Sequence, residues 1–538
     1  MLYKDQTYPL SSQQKMVWFD NLLSEGLPSY NIGMALVFKA KLNLAVLEEA
    51  IQQVIAERDV LRVHFQQSNQ EVVQHFSNKS TFTLSEKDFS KTANPEKSAW
   101  QYIDQQFKTA FDIFAQSPWK IEWVNAGATS YLFFCFHHLV LDGLSHSLIY
   151  QLIIEKYNQL IHQTPLTIEH SAIPLYSDYI PNDQQYFLST RYQKDKEYWF
   201  KRFNNIPEAI FHSHEKSNEQ HNGGYLVWQL NRDFYTKITH SVNQLGTSNT
   251  QFLMAILSVI FSKSHFEQKD FVLGMPIHNR TTAEQKSLIG MLSSVLPINI
   301  EIELSGTFDE LIKKIGGELK RSYRHHRFPV SEIHRHLDIV EAGQARLFDV
   351  LLSVEDHAGE ETFNGVPFTV VPLDNGYAHH PLTVALRNFH QNDHVLMEFN
   401  FDTSVLDTAF IEKLITQLEH VFLQLIENPF ISISDIQLLD DSERELVTNT
   451  FNQTSREYPT SICIHQQFEQ QVIQTPHAIA AVFEHQKLTY AELNTRANQV
   501  AYYLINECGL NSARPDGLVG LCTERSLDMI IGMLGILK

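Results

Sequence analysis

Long apolar runs are missing from this chain of 538 residues. No stretch reaches the roughly 18 consecutive apolar residues that a membrane-crossing helix needs. The N-terminus, "MLYKDQTYPLSSQQ", lacks the apolar segment of a secretory signal. Both absences predict a cytoplasmic protein without membrane contact. Cysteine is scarce: Cys135, Cys463, Cys508 and Cys522 stand far apart, with no CxxC pair. That excludes a disulfide framework and fits a reducing compartment with free thiols. Basic charge is short, with 42 Lys and Arg against 62 Asp and Glu and a formal charge of −20. A chain this acidic does not track a nucleic-acid backbone, and it shows no basic stripe with interleaved aromatics. No internal repeat of about 20–50 residues is present.

The pattern that remains is mixed α/β. "SSQQKMVWFDNLL" predicts a helix capped by Ser11 or Ser12. "MALVFKAKL" predicts a strand, and "LAVLEEAIQQVIAERDVLRVHF" a long amphipathic helix running into a strand at Leu61–Phe65. "YLFFCFHH" (Tyr131–His138) predicts a buried strand, and "HSLIYQLIIEKYNQLI" a helix. Prolines, serines and aspartates around Leu166–Asp183 predict a linker. A second α/β stretch follows. It holds a buried helix at "TQFLMAILSVIFSKS", strands at "DFVLGMPIHN", "VLPINIEI", "LFDVLLSVED" and "HVLMEFNFD", a helix capped by Thr307, and a closing helix at "AFIEKLITQLEHVFLQLIEN". A polar segment, "DDSERELVTNTFNQTSREYPTS", separates this from a third texture after Ile462.

The densest chemistry is "FCFHHLVLDGLS" (Phe134–Ser145), a strand ending in two histidines, then a short loop and an Asp-Gly. Alternation along a strand points His137 and His138 to opposite faces, so one of them can face a cleft while the other packs behind. Asp142 precedes a helix and can cap it or pair with a buried cation. Gly143 permits a backbone turn that a Cβ would obstruct. An imidazole at a strand end, held by turn atoms, is what a general base needs. An isolated His-His would more often be a satisfied core pair with an ordinary N-cap. HHxxxDG on a strand, loop and helix favours the functional reading.

"HHLVLDG" resembles the signature of condensation domains of nonribosomal peptide synthetases, relatives of chloramphenicol acetyltransferase. The company of that motif strengthens the likeness. "PLSSQQKMVWF" resembles the opening SxxQ…W motif through Ser11 or Ser12, Gln14 and Trp18. "ERDVLRVHF" resembles RHExLRTxF through Arg58, Leu61, Arg62 and Phe65. "IGMLSSVLPI", "HHRFPVSEI" and "ARLFDVLLSVED" resemble the later motifs, all in family order. Three places depart from the pattern: "IGMLSS" lacks the usual asparagine, "YSDY" at Tyr176 is a loose match, and "GMPIHNRT" carries His278-Asn279-Arg280 at a variable position.

The resemblance implies an α/β fold of two acetyltransferase-like lobes meeting in a V, over residues 1–175 and 176–450. A linker at 451–462 and an N-terminal piece of an adenylation domain at 463–538 follow. "LTYAELNTRANQVAYYL" (Leu488–Leu504) resembles the first core motif of adenylation domains, whose phosphate-binding loop and later motifs do not occur here. By the same resemblance His138 is the catalytic residue, standing in a tunnel entered from both faces. His137, Asp142, Gly143 and Arg62 are structural, with Arg62 the expected partner of Asp142. Ser353 and Asp356 are candidates for the tunnel wall. No cofactor is expected in the chain; donor and acceptor arrive on phosphopantetheine arms of carrier proteins, and an adenylation domain completes the partners. The short lead before the first motif, and the "IGMLSS" departure, tilt the expectation toward a fatty-acyl starter donor, with an upstream carrier docked in trans as the other option.

Other clusters carry less. His325, His326, His334 and His336 suit no tetrahedral metal pattern, no cysteine joins them and Pro329 interrupts the segment, so no metal site is expected. His379 and His380 precede Pro381 and predict a turn, with a place on the tunnel wall as the functional alternative. Two rival functions stand beside amide formation. One is a degenerate condensation-like module that recruits partners; the intact His138 and Gly143 argue against it. The other is a stand-alone acyltransferase using coenzyme A; the adenylation-like tail argues against that.

Overall fold

The computed structural model describes residues 6–24, 26–68, 71–79, 81–163, 173–205, 208–211, 223–264, 269–337, 346–356, 362–388, 394–510 and 517–538. The chain divides into two compact units, Met1–Asp440 and Asp441–Lys538.

The first unit is built on two large sheets. One has five strands in the order Thr369–Pro372, Asn31–Phe38, Ser130–His137, Trp119–Asn125 and Ser85–Asp88. Its central strand, Ser130–His137, is buried along its whole length. Both faces are apolar, as in a strand covered on two sides. Phe134 and Phe136 join a core with Leu47, Ile51 and Ile149, residues of the helices Leu44–Glu57 and Gly143–His162. Phe133 and Cys135 pack on the other side with Ala99, Ile103 and Phe107 of the helix Pro95–Phe107. The edge strand Thr369–Pro372 comes from far along the chain. It pairs antiparallel with Asn31–Phe38, Thr369 opposite Val37 and Pro372 opposite Met34. Proline is tolerated there because an edge strand leaves N–H positions unpaired.

The other sheet has six strands, in the order Ser294–Glu301, Asp270–Ile277, Val350–Asp356, Leu382–Asn388, Val395–Asp402 and Gly223–Leu230. Val350, Leu352, Val384, Leu386, Met397 and Phe399 point to one face and join the largest core. The helices Asn249–Ser264 and Thr408–Glu427 supply much of the rest of it. Strand alternation sends Ser353, Glu355, Arg387 and Glu398 to the opposite face. There Arg387 bridges Glu355 at 2.7 Å and Glu398 at 2.9 Å.

The segment expected to be a linker is structured where it is described. Residues Tyr176–Phe187 form a helix. Tyr176, Tyr179 and Ile180 are buried in the core of the five-stranded sheet. The polar texture is one face of this helix, and its aromatic residues form the other. Residues 166–172 lie outside the described residues.

The second unit is small. A helix, Ile464–Gln474, precedes a hairpin of Ile479–Phe483 and Gln486–Thr489 and the helices Tyr490–Asn506 and Leu527–Leu537. Leu488, Leu493, Leu527 and Ile531 make its core. Thr489 and Glu492 form a capping box at the start of Tyr490–Asn506. Among the described residues no single helix is long and apolar enough to cross a membrane.

Candidate active site

The two histidines separate as strand geometry requires. His137 is the last residue of its strand and is 3% exposed, whereas His138 is half-buried. The rings of Tyr30 and Phe111 pack against His137, at centroid distances of 6.1 and 6.4 Å. Its Nδ1 accepts from the Leu139 N–H at 3.0 Å. Burial pushes this imidazole down to about 3, with the neighbouring His138 acting in the same direction. It is therefore neutral and serves the turn.

His138 begins the loop. Its backbone N–H donates to the Tyr30 carbonyl at 2.8 Å. Its Nδ1 is buried without a hydrogen-bond partner of normal geometry. Burial lowers its basicity; Asp142 and the carbonyls of His138 and Leu141 pull the other way and do not overcome it. The ring is therefore held in the unprotonated form that a general base needs.

Asp142 caps the helix Gly143–His162, accepting from the Ser145 N–H at 2.8 Å. It also accepts from the N–H groups of Leu292 and Ser293 at 3.0 and 2.9 Å. Its cationic partner is Arg280, which donates from Nη1 at 2.8 Å and from Nη2 at 3.1 Å. Both side chains are fully buried. Burial alone would raise the Asp142 carboxyl, but the Arg280 guanidinium and the helix-start N–H hold it below the usual carboxylate range.

Arg62 is not that partner, which corrects the sequence expectation. It ends a short 3-10 turn after the helix Leu44–Glu57. Its guanidinium turns back onto the end of that helix and donates to the carbonyls of Ile55 and Ala56 at 2.5 and 2.7 Å, and to Ser77 at 2.7 Å. A cation over the last carbonyls of a helix satisfies groups that have no intrahelical partner. Arg280 was the residue sequence reasoning missed. The available signal was an arginine three residues past the apolar strand "DFVLGMPI".

Gly143 also differs from expectation. A Cβ there would meet no heavy atom within 4 Å, and the residue is exposed between buried Asp142 and Ser145. The glycine is not needed for the turn; it leaves open space at the start of the helix.

The "IGMLSS" segment acts through its backbone. Gly290 exchanges two hydrogen bonds with Ser145 Oγ, at 2.8 and 2.9 Å, and Leu292 and Ser293 supply N–H groups to Asp142. A Cβ at Gly290 would lie 2.1 Å from the ring of Tyr176. The missing asparagine side chain therefore removes nothing from the hold on Asp142. The opening motif braces the same loop. Ser11 is the N-cap of Ser12–Leu23 in a capping box with Gln14, and Gln14 Nε2 donates to the Leu139 carbonyl at 3.0 Å.

Ser353 is half-buried on the polar face of the six-stranded sheet, its Oγ 3.3 Å from Glu355. Asp356 ends the same strand, and its side chain lies outside the described residues. Two histidines of the His325–His336 cluster have local partners. His325 meets Asp195 at 2.7 Å and stacks on Tyr198, and His336 stacks on Phe200 at 3.6 Å.

A half-buried imidazole at a strand end, with a buried Asp142–Arg280 lock beside it, is the centre of a mixed α/β unit built on two large sheets. The condensation-domain family model matches residues 4–448, and the AMP-binding enzyme model matches residues 468–538. The chain belongs to the condensation-domain family of nonribosomal peptide synthetases, acyltransferase-type enzymes that form amide bonds, and carries a piece of an AMP-binding domain after it.

Gramicidin S synthase 2 of Brevibacillus brevis is 26% identical over 538 residues, covering 99% of this chain and 12% of that protein. Bacitracin synthase 2 of Bacillus licheniformis is 26% identical over 554 residues, covering 99% of this chain and 20% of that protein. The chain thus spans a small part of these relatives. Among solved structures, the first condensation domain of the CDA synthetase aligns with a TM-score of 0.72 at 18% identity, covering 81% of this chain and 99% of that one. A mutant starter condensation domain of rhizomide synthetase RzmA, in complex with C8-CoA, aligns with a TM-score of 0.71 at 22% identity, covering 81% and 98%. At these identities the structural likeness speaks for the fold.

Proposed function

We propose that this chain joins a carrier-bound acyl or aminoacyl thioester to the amine of a carrier-bound amino acid. The amine nitrogen attacks the thioester carbon, the C–N bond forms and the C–S bond breaks. His138 takes the proton that the amine loses or holds the attacking amine, and the departing sulfur leaves as a thiol. The observation that carries this reading is His138 itself. It is half-buried, depressed in basicity and placed beside a lock that fixes its loop. Phosphopantetheine arms on two carrier proteins would deliver the reactants. Tethering both at one imidazole converts a bimolecular step into an effectively unimolecular one. An adenylation domain would load the acceptor, and the cytoplasm is the compartment that fits free thiols.

Intact-mass measurement on loaded donor and acceptor carriers tests the proposal. Transfer of the donor's mass to the acceptor carrier is the expected result. Donor loss by hydrolysis alone, or acylation of a free amine from coenzyme A without carriers, would overturn it.

A further inference from the structure

The segment from Leu373 to Pro381 leaves the five-stranded sheet after Pro372 and enters the six-stranded sheet at Leu382. On the way it grips Ser29, Tyr30 and Asn31. Asn375 Nδ2 donates to the carbonyls of Ser29 and Asn31 at 3.1 and 3.2 Å. His379 Nε2 lies 2.8 Å from the Ser29 carbonyl, so that nitrogen carries a hydrogen. Its Nδ1 faces Asp20 at 3.4 Å. Asp20 also accepts from the Tyr30 hydroxyl.

The gripped tripeptide is what holds the reacting histidine. The Tyr30 carbonyl receives the His138 N–H, and Asn31 sits opposite His137 in the sheet. The Tyr30 ring packs on His379 at 4.5 Å and meets the His138 ring edge-on at 6.2 Å. Two remote pieces of sequence, one holding Asp20 and Tyr30 and the other His379, therefore converge behind one imidazole.

We propose that His379 is a positioning residue for His138. It ties the joint between the two sheets to the strand end that carries His138, through the Ser29 carbonyl and the Tyr30 ring. The titratable groups around His138 are His137, Asp142 and His379. Those around His379 are Asp20, Tyr30, Tyr377 and His380. Burial and the neighbouring His379 ring both act against a proton on His138, so losing that ring raises the basicity of His138. The inference rests on His138 being the reacting imidazole, so its test includes a readout that needs no turnover.

The experiment compares wild type, His379→Ala and His379→Gln in the full 538-residue chain. Carbon-13 histidine NMR follows the titration of His138, assigned through His138→Gln, and amide formation is measured on loaded carriers. The glutamine amide can still donate to the Ser29 carbonyl but carries no charge. We expect at least a tenfold slower reaction in His379→Ala, most of the rate back in His379→Gln, and a higher His138 titration midpoint in both. A His379→Ala rate within twofold of wild type overturns the proposal, as does a His138 midpoint unmoved in both variants. If the titration moves but wild type forms no amide, the coupling stands and the amide-forming reading fails.

Discussion

Asp142 and Arg280 lie 138 positions apart in the chain, yet their side chains form a two-pronged ion pair with no solvent exposure. Arg280 also donates to the carbonyls of His278 and Leu288 and to Ser145 Oγ. The pair therefore joins the loop after the strand Ser130–His137 to the end of the strand Asp270–Ile277. Breaking one side leaves an uncompensated buried charge. Asp142→Ala and Arg280→Ala are each expected to cost about 3–5 kcal/mol. Urea melts read the loss; variants that melt like wild type would make the pair dispensable for folding.

The lock also carries a pH dependence. The Asp142 carboxyl is held below its ordinary value in the folded chain. A depressed carboxyl contributes stability above its unfolded value of about 3.9 and loses it as pH falls through the lower folded value. Wild type is thus expected to lose stability below about pH 4 more steeply than Asp142→Asn, which has no such proton to bind. Parallel acid limbs in the two proteins would assign the acid sensitivity elsewhere.

Arg62 is expected to behave differently from Arg280. It donates to three carbonyls and faces no carboxylate in the lock. Arg62→Ala should cost about 1.5–3 kcal/mol, the range for hydrogen bonds to a charged group. The rate on loaded carriers should stay near wild type. A rate loss as deep as that of His138→Ala would place Arg62 back at the reacting site.

Much of this site could be read from single stretches of sequence. The strand, loop and helix at Phe134–Ser145, the cap at Thr307 and the box at Ser11 and Gln14 depend on near neighbours, and local chemistry fixes them. The pairings that close the site do not. Asp142 sees several arginines in sequence and only geometry selects Arg280. The edge strand Thr369–Pro372 crosses to the other sheet, and four residues carry too little periodicity to announce it. Gly143 misled for a related reason: glycine marks both strained turns and open space, and the sequence does not tell them apart.

The His-His pair should split cleanly. His138→Ala is expected to slow amide formation by about 10²–10⁴-fold, the usual worth of a general base, with little change in melting. His137→Ala removes a buried ring and leaves the Leu139 N–H without its acceptor, a loss of about 1–3 kcal/mol. Thermal melts and single-turnover rates on both variants separate the roles. The reverse pattern would exchange the assignments.

The donor is the last question, and under the proposal that Ser353 lines the tunnel the polar face of the six-stranded sheet bears on it. Ser353, Glu355, Arg387 and Glu398 share that face, and Glu398 is buried there beside Arg387 and Tyr225. An apolar chain laid along these groups would leave them dehydrated. In an apolar pocket each added methylene would contribute about 0.8 kcal/mol, about fourfold in rate or affinity. The "IGMLSS" departure no longer argues for such a pocket, because that segment holds Asp142 by backbone N–H groups. We therefore expect aminoacyl and short acyl donors to react at least as fast as long acyl donors on the same carrier. A donor series of rising chain length beside aminoacyl donors measures this. A rate that climbs about fourfold with each methylene would restore the fatty-acyl starter.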